Sequence, residues 1–316
     1  MPAFRKQLTL FDDYHDMLSD GVRMQAYRRA IEAVVQPNDV VVDLGAGTGI
    51  MSLIAARAGA AHVYAIEQSD AIDLARRTAS ANGLADRITF VQGVSREVTL
   101  PVRANVLLSE TLGSFGLDEN TLEFTMDARD RFLRPQARLL PCGLQTFVAP
   151  VELAAHRRKI AFWREIEGFD FSPACEDLSG RMSLARVGAR DLVAEPQLFS
   201  EHNLATVSDC EVASTLYFGV QRRAIIDGFA GWFCADLGAG ISIRTSPSDA
   251  LTHWQQAFFP LREAVHVVGG DIVELRLRVT PRRDHSDNTE ITYDYRCTQI
   301  DDDPGERPAA ARITST

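Results

Sequence analysis

Between Asp20 and Val35 the apolar positions Met24, Tyr27, Ile31 and Val34 recur at helical spacing, and Pro37-Asn38 closes the segment. The pattern predicts one helix ahead of a first strand. Short apolar runs and amphipathic runs then alternate: strand 40–44, helix 48–58 closed by Gly59, strand 62–67, helix 70–81 closed by Asn82-Gly83, then strands 88–92 and 105–109. Such alternation predicts a doubly wound α/β architecture, a parallel sheet with helices on both faces. A ligand site belongs at the carboxyl ends of those strands, where Gly45, Glu67 and Glu110 fall.

Beyond Pro141 the texture changes to β. The stretch Val265-His-Val-Val-Gly-Gly-Asp-Ile-Val-Glu-Leu-Arg-Leu-Arg-Val279 alternates apolar and polar positions around Gly269-Gly270, which reads as an antiparallel hairpin. Residues 155–200 mix helical and loop signals and carry the aromatic cluster Phe162, Trp163, Phe169 and Phe171, either core or an exposed arm that docks on a partner. From Asp301 onward the chain is polar and Ala-rich, so 301–316 is expected to be a disordered tail.

Composition narrows the function classes. The 316 residues are 46% hydrophobic, ordinary for a soluble globular chain. No run reaches the roughly 18 uncharged apolar residues of a membrane span, and the opening Met-Pro-Ala-Phe-Arg-Lys lacks a signal peptide's apolar stretch. A cytoplasmic protein without membrane partners is expected. The five cysteines, at 142, 175, 210, 234 and 297, form no C-x-x-C pair and are read as reduced thiols, with no metal site. A formal charge of −10 leaves no basic footprint for nucleic acid. It suits a cationic substrate, or simply solubility.

The chemistry concentrates in two places. Val40-Val-Val-Asp-Leu-Gly-Ala-Gly-Thr-Gly-Ile50 puts a glycine-rich turn (Gly45, Gly47, Gly49) between a buried strand and a helix, with Asp43 able to hold the loop. Glu67 follows about 20 residues beyond, where an acidic residue bonds ribose hydroxyls. The dinucleotide fingerprint wants its third glycine at position 50, which is Ile, so G-x-G-x-G here favours S-adenosylmethionine over NAD. The repeat of that wording at Asp236-Leu-Gly-Ala-Gly240 lies in β-like sequence with no helix after it and receives no cofactor role. The second place is Ser109-Glu110, ending a strand, with Glu119 nine residues on across a glycine-containing loop. Two carboxylates on the limbs of one loop repel unless a cation lies between them, and a guanidinium presents its planar fork of N–H donors to both.

With these residues in view, Met17-Leu18-x-Asp20-x-x-Arg23-x-x-x-Tyr27, the glycine loop to Ile50, the pair Glu110 and Glu119, and Thr252-His253-Trp254 together resemble the protein arginine methyltransferases, in that family's order and over nearly the whole chain. The divergent motifs and the Ala- and Arg-rich composition suggest a bacterial relative. The resemblance implies a Rossmann-like methyltransferase domain over 1–141 and a β-barrel domain over 142–300, interrupted by a helical dimerisation arm near 160–190. It implies a homodimer and the cofactor S-adenosylmethionine. By it Arg23 pairs with the cofactor carboxylate, the glycine loop carries its amino-acid part, Glu67 takes the ribose, and Ser95 joins the cofactor set. Glu110 and Glu119 grip a substrate guanidinium, and His253 approaches Asp20 beside them, with Trp254 in the substrate wall.

The chain also departs from that family's pattern. Its upstream aromatic segment is reduced in Phe4 to Phe11, its histidine falls at Tyr14, and its adenine-side glutamate aligns with Arg96, beside Glu97. Three aromatic positions around the paired glutamates are Thr111, Ser114 and Asp118, which widens and polarises the slot and adds Asp118 as a third carboxylate. The expected acceptor is arginine in a protein or peptide. A small guanidino or amino metabolite is the alternative, and a cofactor-binding dimeric regulator without catalysis is a more remote one.

Overall fold

The computed structural model describes residues 12, 14–179, 181–282 and 289–298, and the backbone of 310–315. Residues 14–19 are helical, and α1 (Gly21–Val34) follows with Asp20 as its N-cap, its Oδ1 accepting the Arg23 N–H at 3.0 Å. Tyr27 and Ile31 of the predicted stripe are fully buried, while Met24 and Val34 pack at its margin. Val35 is the extended C-cap, its N–H donating to the Ile31 carbonyl at 2.9 Å.

The first half is a five-stranded parallel sheet ordered β3-β2-β1-β4-β5, from β1 (Val40–Leu44), β2 (His62–Glu67), β3 (Ile88–Gln92), β4 (Ala104–Ser109) and β5 (Leu133–Leu140). Its helices are α2 (Ile50–Ala58), α3 (Ala71–Ala81) and α4 (Thr121–Phe132). The predicted bounds of β1, β2 and β3 coincide with the observed ones. The strand order reverses between β1 and β4, whose carboxyl ends lie side by side with Leu44 opposite Ser109. That is where a doubly wound sheet opens its ligand crevice.

The second half is antiparallel. One sheet runs β10-β6-β12-β14-β9 with β13 (Ser242–Arg244) on β12, and another runs β11-β15-β16-β17. Their strands are β6 (Gly143–Val151), β9 (Ser183–Ala185), β10 (Gln197–Asn203), β11 (Val212–Gly219), β12 (Ala224–Asp236), β14 (Gln256–Val267), β15 (Ile272–Pro281), β16 (Thr289–Thr298) and β17 (Ala310–Ser315). Between β6 and β9 projects an arm: α5 (Ala154–Arg164), the small ribbon β7 (Glu165–Ile166) with β8 (Phe169–Asp170), and α6 (Ser172–Ser179). Its aromatic cluster is not core, because Phe162 and Phe169 are 59% and 70% exposed. Among the described residues no helix is long and apolar enough to cross a membrane.

Two expectations are corrected. The strands flanking Gly269-Gly270 do not pair with each other: β14 pairs with β12, whereas β15 pairs with β11 and β16. The turn is instead a corner between sheets, where the Val220 N–H reaches the Asp271 carbonyl and the Gly270 N–H returns to Val220, both at 2.9 Å. Alternation identifies a strand and its buried face but not its neighbour. Part of the segment expected to be a disordered tail, 310–315, pairs antiparallel with β16 and takes up the backbone groups that an edge strand would leave open. Residues 4–11 and 299–309 lie outside the described residues.

Candidate active site

The crevice above β1 and β4 is a cavity of about 710 Å³ walled by the glycine turn, the Glu110–Glu119 loop, the helical residues 14–18 and the His253–Gln255 segment. Of the candidate residues, Arg23, Asp43, Gly45, Gly47, Glu67, Ser95, Glu110, Ser114, Asp118, Glu119, His253 and Trp254 line it. Asp20 and Gly49 do not, and each acts from behind the wall.

At the cofactor end, Gly47 adopts φ +52° and a Cβ there would stand 2.9 Å from the Tyr14 ring. Its amide donates to Glu67 Oε2 at 2.8 Å, while the Ser69 amide donates to Oε1 at 2.7 Å. Glu67 is thus buried with each oxygen oriented by one backbone donor and with lone pairs left to accept hydroxyls. Gly49 is the N-cap of α2, and a Cβ there would press within 2.9 Å of Ala75 Cβ, so this glycine lets α2 and α3 approach rather than contacting a ligand. Asp43 does hold the loop, its Oδ2 accepting from Ser52 Oγ at 2.5 Å. Burial pushes its carboxyl up to about 6 despite that hydrogen bond. Arg96 turns away to Glu123, at 3.1 Å, and stacks 5.5 Å from the Phe124 ring centroid. The 95–98 turn is held by Arg131, which donates to the carbonyls of Ser95 at 2.6 Å and Val98 at 2.7 Å.

At the acceptor end, Arg23 lines the cavity and is bonded to Glu110. Its Nε donates to Glu110 Oε2 at 2.9 Å, Nη2 donates to the same oxygen, and Nη1 donates to the Met17 carbonyl at 3.2 Å. The side chains of this pair are 7% and 11% exposed. Both donors converge on Oε2, which aims the other carboxylate oxygen without spending it. Burial works against the Arg23 charge, but Glu110 outweighs it and raises the guanidinium further. The Arg23 head also lies 5.9 Å from the Trp254 ring centroid.

His253 meets Asp20 as expected. Its Nδ1 lies 2.9 Å from Asp20 Oδ2, and its backbone N–H donates to that same oxygen at 2.9 Å. Burial alone would raise Asp20, but the bonds from Arg23 and His253 hold it below its ordinary value.

Ser114 and Asp118 line the cavity, yet their polar atoms are committed elsewhere. Asp118 accepts the amides of Ser114 at 3.0 Å and Phe115 at 2.8 Å, closing the loop on itself, and burial raises its carboxyl. It is a loop staple rather than a free third carboxylate. Ser114 Oγ donates to the Trp254 carbonyl at 2.8 Å, bolting the Glu110–Glu119 loop to the His253 loop. Phe115, fully buried, rests where a Gly231 Cβ would stand 2.6 Å away, and packs 5.3 Å from Phe259 and 5.6 Å from Phe199 between ring centroids. The pattern of the sequence singled out none of the last three contacts. Tyr14, Met17, Phe124 and Leu184 also line the cavity; Met17 opens the Met-Leu motif, while nothing in the periodicity marks Leu184.

The chain is similar to known proteins along both halves. Residues 145–300 match the family model of the arginine methyltransferase oligomerization subdomain, and 13–127 match that of the TRM5/TYW2 methyltransferase domain. Protein arginine N-methyltransferase 1 of Schizosaccharomyces pombe is 32% identical, covering 96% of this chain and 93% of its own. Protein arginine N-methyltransferase 1.1 of Arabidopsis thaliana is 30% identical over 90% of this chain and 75% of its own. Among solved structures, protein arginine methyltransferase 10 of Arabidopsis thaliana superposes with a TM-score of 0.80 at 26% identity, covering 96% of both chains. The Trypanosoma brucei PRMT1 enzyme–prozyme complex with AdoHcy shares the fold with a TM-score of 0.83 at 23% identity, over 96% of this chain and 98% of that one.

Proposed function

The chain belongs to the protein arginine methyltransferase family, and from that premise we propose that it transfers a methyl group from S-adenosylmethionine to a guanidinium nitrogen of arginine in a protein or peptide. The observation that carries this reading is the convergence of Glu110 and Glu119 on one cavity with the glycine turn and Glu67. The enclosed turn with its Gly47–Glu67 bond fits an adenosyl amino acid: backbone donors and a bare Cα face the cavity, and an oriented carboxylate is ready for hydroxyls.

Bound there, S-adenosylmethionine would supply an electrophilic sulfonium methyl to the lone pair of the acceptor nitrogen and leave as the neutral thioether. The work left to the chain is aim and charge. Glu110, fixed by Arg23, and Glu119 hold the guanidinium in line and draw its positive charge onto the nitrogens not being methylated. One proton must then leave the methylated nitrogen. His253 is oriented by Asp20 through Nδ1, which leaves Nε2 to exchange that proton. The exposed aromatic arm is the surface through which two copies pair.

The test is transfer of isotope-labelled methyl to arginine- and glycine-rich peptides and, separately, to guanidino and amino metabolites, with Glu119→Gln as control. Label on peptide arginine that is lost in the variant, with S-adenosylhomocysteine affinity retained, is the expected result. Strong residual turnover in the variant would remove Glu119 from its role. Label only on metabolites would move the acceptor to a small molecule, an outcome favoured by the absence of rings at Thr111, Ser114 and Asp118.

A further inference from the structure

Among the described residues β9 is the last strand of its sheet, paired with β14 along Ser183–Phe258, Leu184–Ala257 and Ala185–Gln256. Among the described residues no strand pairs with its other edge, which presents backbone N–H and C=O groups, and Ser183, Leu184 and Arg186 are exposed. What distinguishes this edge is its position. Leu184, 54% exposed, is part of the wall of the 710 Å³ active-site cavity. Arg186, two residues on and so on the same face of the extended chain, lines a second hollow of about 580 Å³. That hollow shares Asp16, His253 and Gln255 with the main cavity, and lies on the Asp20 side of the His253–Asp20 pair. One strand edge thus runs past the mouth of the acceptor slot and into a trough leading away from it.

We propose that the main chain of the acceptor docks as an added strand on the free edge of β9, with the residues flanking the target arginine continuing into the hollow beside Asp16 and Arg186. The inference rests on the peptide-arginine reading above and gives that reading a recognition mode. Main-chain pairing supplies affinity independent of side-chain identity, while alternate acceptor side chains face the enzyme. A short edge such as Ser183–Ala185 offers little to another folded sheet, yet suffices for a tripeptide. It lets the enzyme accept arginines in differing sequences provided that the segment is extended. The exposed carboxylate of Asp16, at the rim of both cavities, suits a cationic segment.

The experiment is a backbone scan. A fluorescent arginine- and glycine-rich peptide is synthesised with a single N-methyl amide at each position flanking the arginine. Its Kd is measured by anisotropy with S-adenosylhomocysteine present, and methyl transfer is followed in parallel with N-acetylarginine amide as a small acceptor. Strand addition predicts that Kd rises roughly two- to tenfold at every second position on one flank and hardly at those between, as one backbone bond is lost each time. A flat profile, or equal losses at all positions, overturns it. Ser183→Pro and Leu184→Pro tie the pattern to β9, since neighbouring residues turn their N–H groups to opposite sides and an edge tolerates the outward proline. One variant should keep the wild-type Tm and erase the alternation; alternation surviving in both folded variants would place the peptide elsewhere. An alternating Kd profile without methyl transfer to any acceptor would sink the catalytic reading and leave the docking surface standing.

Discussion

Arg23→Ala removes the cation that neutralises Glu110, and its cost follows from how little water either group sees. With the Arg23 and Glu110 side chains 7% and 11% exposed, the stranded carboxylate cannot be hydrated by a small shift. Breaking such a pair from one side costs about 3–5 kcal/mol. Two further bonds are disturbed, the Met17 carbonyl losing its donor and the Trp254 face losing its cation. Replacing Glu110 by Gln in the same background removes the unpaired charge, so Arg23→Ala/Glu110→Gln should recover about 2 kcal/mol or more of the single-variant loss. Urea unfolding of the wild type, both single variants and the double variant, without cofactor analogue, measures the coupling. Additivity within about 0.5 kcal/mol would refute the claim that Arg23 chiefly serves Glu110. Arg23→Lys sharpens the test, because a point-charge ammonium cannot give two parallel donors to one oxygen and should restore stability better than it restores turnover.

Gly47→Ala should weaken S-adenosylhomocysteine binding by tenfold or more in calorimetric titration, because the new Cβ displaces Tyr14 and shifts the amide that holds Glu67. Gly59→Ala, also at positive φ but with open space around its Cβ, is the control: it should pay about 1–2 kcal/mol of backbone strain and leave affinity unchanged. Equal affinity losses in both would assign the effect to strain alone. Asp43, raised from 3.8 to about 6 by burial, binds its proton more tightly when folded, so its contribution is fully present below about pH 4 and is lost as pH rises through 6. Unfolding free energies without cofactor should show the Asp43→Asn variant gaining on the wild type by up to about 3 kcal/mol between pH 4 and 7, and a constant difference would contradict the shift. Ser114→Ala should lower kcat about tenfold while leaving S-adenosylhomocysteine affinity intact, and Ser114→Thr should restore most of the loss; an unchanged kcat would free the loop from its bolt to Trp254.

The parallel sheet was readable because its punctuation is local: Gly45, Gly59 and Asn82-Gly83 stop one period and start another, and the buried runs 40–44 and 62–67 have strand length. The paired glutamates were readable from the end of a strand and one short loop, whereas the His253–Asp20 contact was readable only through a family pattern, its partners lying 233 residues apart along the chain. Strand neighbours were not readable. The alternation from 265 to 279 fits a hairpin and a sheet-switching corner equally well, and the choice rests on where Val220 meets Gly270 and Asp271. The Arg23–Glu110 pair illustrates the limit most sharply, since nothing local in the sequence links two residues 87 positions apart and only folding brings them together.

The loop between the glutamates answers to both halves of the molecule. Glu110 continues β4 and is fixed by Arg23 of α1, so the parallel sheet sets its position. Phe115 is sunk against Gly231 and Phe259 of the antiparallel half, and Ser114 is bonded to Trp254 there. Asp118, immediately before Glu119, ties the descending limb back to Ser114 and Phe115. Glu119 therefore takes its place from the antiparallel half although it belongs to the sequence of the parallel one. The polar residues standing at Ser114 and Asp118 carry this geometry by hydrogen bonds rather than by ring packing. A slot held this way keeps its two carboxylates in register while leaving its walls open, which fits an enzyme that positions the guanidinium strictly and the rest of its acceptor loosely.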